Sequence, residues 1–117
     1  MHDFFYAVTA TLPQEKVCDY ITWLEQKHLR EMLLSGALEA RMIICSPSTE
    51  RSQDIETQYI FANELAYRAY EKNHAPRLRE EGLRMFGSLP GVSFARRMGK
   101  IRLTEHSTLS GTSAQVE

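Results

Sequence analysis

His28 stands on the apolar stripe of an amphipathic stretch, with Leu24 before it and Met32 after it at matching spacing. An imidazole changes charge near neutral pH, so between aliphatic neighbours it can donate a proton to a bound molecule or accept one from it. Arg41, Gln58 and Arg97 lie on segments with the two-residue alternation of β-strands. Guanidinium and amide groups converging on one face would seat a carboxylate or phosphate. Each of the four also has a plainer reading. A histidine on an apolar stripe is commonly a core side chain whose ring nitrogens meet a carbonyl and a carboxylate. Arginine and glutamine on a strand commonly make a solvated or interface-buried sheet face.

Other chemistry has no starting point. His2, His74 and His106 share no metal-ligand spacing with His28 or with acidic residues, so no metal and no cofactor is expected. There is no Gly-rich phosphate loop, nucleophile elbow, HExxH motif or Cys–His pair. Cys18 and Cys45 are the only cysteines, without CxxC spacing, and no basic leader precedes the first apolar run. They read as reduced thiols of a cytoplasmic protein. The 14 basic and 15 acidic residues leave a formal charge of -1, which argues against nucleic-acid and polybasic membrane binding. No run approaches the roughly 20 apolar residues of a spanning helix. The stretch Thr57-Gln58-Tyr59-Ile60-Phe61 also lacks the basic residue and glycines of RNA-binding sheets.

The elements that must position these residues can be read from periodicity. At 117 residues and 43% apolar content, one domain with a substantial core is expected over residues 1–103, followed by a mobile, Ser/Thr-rich tail over 104–117. Asp3 to Leu12 alternates as a first strand. A helix follows to about Leu34, started by a Thr11/Gln14 capping box or by Pro13, and ended by Gly36. Its stripe is Val17, Ile21, Leu24, His28 and Met32. Ala37 to Cys45 is predicted as strand two, Ser46 to Asp54 as a loop, and Ile55 to Ala62 as strand three. Asn63 caps a second helix, broken near His74 because Ala75 precedes Pro76. Trp23, Tyr67 and Tyr70 read as packing residues, and Arg77 to Arg84 as an exposed, mixed-charge face. Val92 to Leu103 is strand four, its charges Arg96, Arg97, Lys100 and Arg102 suiting a sheet edge.

The order βαββαβ implies an α+β, ferredoxin-like sandwich: a four-stranded antiparallel sheet with helices on one face. The nearly all-apolar set Phe4, Tyr6, Val8, Met42, Ile44, Tyr59 and Phe61 belongs under the helices, and the mixed set Phe5, Thr9, Arg41, Ile43, Gln58 and Ile60 on the open face. A half-apolar open face calls for a partner. The simplest is a second copy, giving a homodimer that encloses a cavity against the open sheet face.

Several short motifs recur in a known order: Trp23-Leu24 with His28-Leu29, Ser35-Gly36, Gln58-Tyr59, Ala75-Pro76 with Leu78-Arg79, Phe86-Gly87, and Phe94 on the closing strand. In these the chain resembles an uncharacterised bacterial domain-of-unknown-function family numbered 4286, over about Phe4 to Leu103. That family in turn resembles the dimeric α+β barrel superfamily. The chain departs from the pattern at Arg30, where a proline is usual, at Gly82, where a histidine is frequent, and at Ala95, where an arginine is frequent. The resemblance implies the fold but no activity, since the superfamily spans monooxygenases, haem-degrading enzymes, isomerases and ligand-sensing domains.

Three functions follow as expectations. The first is a homodimeric domain holding a small acidic or aromatic molecule through Arg41, Gln58 and Arg97. The second is a small cofactor-poor enzyme of monooxygenase or isomerase type, with His28 as the proton-transfer group. The third is a structural or protein-interaction module without ligand. Whether the chain is an enzyme is left open at this stage.

Overall fold

A computed structural model describes residues 2–108. Its four strands are β1 (Phe4–Pro13), β2 (Glu39–Ile44), β3 (Ser52–Phe61) and β4 (Ser93–Lys100), arranged in the order β2-β3-β1-β4. All neighbours are antiparallel. The helices are α1 (Val17–Trp23) and α2 (Leu29–Leu34), joined by a π-helical turn at Leu24–His28, then α3 (Glu64–Asn73) and α4 (Ala75–Gly82), with a second π-helical turn at Leu83–Gly87. This is the ferredoxin-like α+β sandwich expected from the element order.

The register shows which side chains share a face. Tyr6 lies opposite Tyr59 and Met98, and Val8 lies opposite Thr57 and Arg96. Phe4, Tyr6, Tyr59 and Phe61 are buried under the helices as expected, whereas Ile44 is half exposed at the β2 edge. The other parity, with Phe5, Thr9, Glu56, Gln58, Arg41 and Arg97, forms the open face.

Local sequence accounts for the element ends. Gly36, at φ 118°, ends α2, with Gly36 N–H bonded to the Leu33 carbonyl and Ala37 N–H to that of Met32. This paired closure needs a left-handed residue that only glycine adopts cheaply. Asn63 caps α3 by accepting the Ala66 N–H at 2.8 Å, and Pro76 sits in the first turn of α4. The predicted Thr11/Gln14 capping box does not form. Thr11 instead donates across the sheet to Asp54, and the Gln14 amide donates to the Thr49 and Ser52 carbonyls. Those bonds help explain why β3 starts at Ser52, earlier than alternation alone indicated. Residues 104–108 are exposed and outside helix or strand, and the rest of the expected tail lies outside the described residues.

The core has two parts. One gathers Phe4, Tyr6, Met32, Tyr59, Phe61, Tyr67, Tyr70 and Leu78, and the other Ala10, Leu12, Tyr20, Leu24, Ile55 and Phe86. Between them the two central strands carry the Val8–Thr57 pair, smaller than the tyrosine pair next to it. The shortfall in volume leaves a space there, because close packing elsewhere cannot relax to fill it.

The cap contact is testable. Asn63→Ala should lower unfolding stability by about 1 kcal/mol, read as a lower urea midpoint with an unchanged slope.

Candidate functional site

The space between the two core clusters is a cavity of about 50 Å³ on the helix side of the sheet. Val8 and Thr57 line it from the sheet, Tyr6, Tyr20, Tyr59, Tyr70, Trp23 and Phe94 supply aromatic surface, and His28, Arg79 and Arg96 bring the polar groups. It has room for a few waters in this state.

The polar wall is built around one hydroxyl. Tyr6 Oη accepts from Arg79 Nη2 at 3.1 Å and from Arg96 Nε at 3.2 Å. Arg79 also binds the Glu71 carboxylate at 2.6 Å, and the Tyr67 hydroxyl donates to the same carboxylate. Partial burial alone would raise the Glu71 pKa, but the bonds from Arg79 and Tyr67 hold it below the ordinary carboxylate value. The two guanidinium groups thus meet at one hydroxyl, and Arg79 alone binds the carboxylate. Among the described residues Arg96 has no carboxylate within salt-bridge distance, so the cavity wall carries an excess of positive charge.

A second feature lies at the π-helical turn. Tyr20, Leu24, His28 and Met32 recur every four residues, and an α-helix of about 3.6 residues per turn would drift away from the sheet at that spacing. The wide turn at Leu24–His28 absorbs the drift. It also stacks the His28 ring on Trp23, with centroids 4.4 Å apart and planes 22° from parallel. Burial pushes the His28 pKa down to about 4, against the opposing pull of Glu81 and Glu31, so the ring is neutral at neutral pH. The Glu81 carboxyl is itself held low, chiefly by Lys27, whose ammonium lies 2.6 Å away.

Two buried atoms on the residues lining this one cavity, His28 Nδ1 and Arg79 Nε, have no hydrogen-bond partner, and two more, Trp23 Nε1 and Tyr59 Oη, lie near Glu81 and Thr57 without closing a bond of good geometry. Burial raises the pKa values of Tyr59, Tyr20 and Tyr70 above the ordinary phenol value, so these hydroxyls stay neutral. Buried polar groups are normally paired, and their concentration here marks a place where water or a guest supplies the partners.

The sequence-selected residues divide between two places. His28 lines the cavity. Arg41, Gln58 and Arg97 lie across the sheet on the open face. There Glu56 accepts from Gln58 at 2.6 Å, Thr9 at 3.0 Å and Arg97 at 3.1 Å. These bonds outweigh partial burial and keep the Glu56 pKa low. Arg97 also lies 5.4 Å from the centre of the Phe5 ring, while Arg41 turns to Glu39 at 2.6 Å and does not join the cluster. Sequence reading missed Arg79 and Arg96. Arg79 looked like part of an exposed charged face, and Arg96 like an edge charge. The signal lay in strand parity, since Phe94, Arg96 and Met98 share the face opposite to Arg97.

Among the described residues no group of three or more His, Cys, Asp or Glu side chains is placed to hold a metal ion, and no helix is long and apolar enough to cross a membrane. The profile of DUF4286, a domain of unknown function, matches residues 3–101. The chain belongs to this family. Among curated proteins no relative matches this DUF4286 chain. Solved structures share its fold. A dimeric ferredoxin-like protein from an uncultured marine organism superposes with a TM-score of 0.65 at 15% identity, covering 90% of this chain and 100% of that one. A monooxygenase of Streptomyces coelicolor, ActVA-Orf6, in complex with nanaomycin D, gives 0.66 at 16% identity, covering 92% and 94%. SnoaB, a cofactor-independent oxygenase of Streptomyces nogalater, gives 0.61 at 9% identity, covering 89% and 97%. The DUF4286 chain therefore shares the ferredoxin-like fold of these structures.

The His28 environment sets a pH dependence. The unfolded chain protonates this ring near pH 6.5, whereas the folded chain does so near pH 4, so the unfolded state binds more protons between those values. Stability is then complete above pH 6.5 and declines as pH falls toward 4. Between pH 7 and 4.5 the wild type should lose about 2 kcal/mol more than His28→Gln, measured by urea unfolding at both pH values.

Proposed function

We infer that this DUF4286 domain is a homodimer that binds a small, acidic aromatic molecule in the cavity between sheet and helices. The observation that carries the reading is the set of four buried polar atoms, unpartnered or poorly paired, on the aromatic, imidazole and cationic side chains lining one cavity. Aromatic surface favours a planar guest, and the excess charge of Arg79 and Arg96 favours an anionic one. The cavity as it stands has room only for waters, so binding displaces side chains from its wall.

The site accordingly moves from the open face to the helix side. Arg41, Gln58 and Arg97 keep a different role, as the polar part of a face that pairs with a second copy. Phe5, Ile43 and Ile60 supply its apolar part, and the Glu56 cluster satisfies its own polar groups within one chain. The dimeric ferredoxin-like relative supports that assembly by analogy.

A second reading rests on His28. A neutral imidazole with an unpartnered Nδ1 beside the guest is equipped to accept a proton, as a small cofactor-poor oxygenase or isomerase requires. The monooxygenase and oxygenase among the fold relatives are consistent with this chemistry. Under it, His28→Gln abolishes turnover and leaves ligand binding and fold intact.

The binding reading predicts a thermal shift. Hydroxynaphthoates and hydroxyquinones at about a hundred times their Kd should stabilise the protein by about 2.7 kcal/mol, raising Tm by several degrees, while uncharged aromatics of the same size should give little. Native mass spectrometry should show one guest per chain in a dimer. No stabilisation by any acidic aromatic would contradict the reading.

A further inference from the structure

Trp23 separates two spaces. The inner cavity lies on one side. On the other lies an outer groove of about 560 Å³, lined by the apolar Met85, Phe86 and Leu89 and by the charged Lys16, Asp19 and Lys27. Trp23 lines both. The inner space has room only for waters, so a larger guest must displace part of its wall.

The indole is the wall segment built to move. Its buried N–H closes no hydrogen bond of good geometry, its only polar neighbour being the Glu81 carboxylate, so a position in which the N–H meets water gives up little. Its ring is held by contacts with His28, Tyr20 and Phe86 and by the loose approach of its N–H to Glu81. Gly82 faces it, and even a Cβ at that position would stand 3.3 Å from the indole edge. The π-helical turn begins at the next residue, where the backbone departs from regular helix.

We propose that the inner cavity and the outer groove are two halves of one ligand site, joined when the Trp23 indole turns away from His28. Its occupant is an elongated molecule with an acidic aromatic head and an apolar tail. The head belongs in the inner half, on the reading of the cavity given above, and the tail runs over Met85, Phe86 and Leu89. Trp23 then sets specificity by length: a compact guest leaves the partition closed, and a tailed one holds it open.

Trp23 is the only tryptophan in the chain, so 5-fluorotryptophan labelling gives a fluorine resonance that reports this ring alone. In the ligand-free protein the resonance should show exchange between two environments. Gly82→Ala, whose backbone at φ -62° and ψ -42° accepts alanine, should shift the population toward the outward one. Benzoate and 4-hexylbenzoate are then added separately. The tailed probe should bind at least tenfold more tightly and drive the resonance outward. A single, unexchanging resonance that Gly82→Ala leaves in place, or equal affinity for the two probes, would overturn the joined site even with both bound. Failure of both probes to bind would overturn the cavity reading instead, and the ligand-free resonance would still decide whether the partition moves.

Discussion

The hydroxyl of Tyr6 is the point on which the helix-side architecture depends. It lies on the central strand β1, and its two arginine donors come from distant parts of the chain, Arg79 on α4 and Arg96 on the edge strand β4. An unpaired hydroxyl at that depth would cost about 1–3 kcal/mol. Donation from both guanidinium groups satisfies it, while Glu71 accepts from Arg79 and Tyr67 and so fixes Arg79 in place. The hydroxyl also ties α4 to β1 and to the edge strand β4. The charge balance of that cluster, two cations to one anion, is what gives the adjoining cavity its preference in sign.

The cavity itself arises from a mismatch in side-chain volume. Large aromatic residues on β1 and β3 pack against α3 and α4 at one end, and aliphatic residues with Phe86 pack at the other. Val8 and Thr57 between them are too small to close the gap. The wide turn at Leu24–His28 then places His28 and Trp23 over that gap. Sheet composition and helix geometry therefore cooperate. The first provides a low floor, and the second brings a neutral imidazole and an indole above it.

Much of the fold was legible because it rests on local rules. Alternation marked β1, the Asn63 cap marked α3, the Ala75–Pro76 pair marked the break before α4, and Gly36 marked the end of α2. His28 was also legible as a residue facing inward, since the apolar spacing around it survives in the structure. What could not be read was parity across strands that meet only in three dimensions. Arg96 and Arg97 are neighbours in the chain, and nothing local says which of them faces the helices; the pairing of Val8 with Arg96 decides it. Arg79 was hidden for a related reason. Its neighbours Arg77 and Glu80 are exposed and make the segment look solvated, while the inward side chain is recognisable only once Tyr6 and Glu71 are placed beside it. Four-residue spacing on the first helix likewise required a π-helical turn that the pattern alone did not reveal.

The sheet thus separates two chemistries on opposite faces: a self-satisfied cluster around Glu56 suited to pairing, and an under-satisfied aromatic cavity suited to a guest. Arg96 and Arg97 test this division most directly, because adjacent, chemically identical substitutions probe opposite faces. Calorimetric titration of a hydroxynaphthoate into Arg96→Met and Arg97→Met should show affinity lowered at least tenfold in the first and retained in the second. Binding that survives in Arg96→Met and is lost in Arg97→Met would place the guest on the open face and contradict the account.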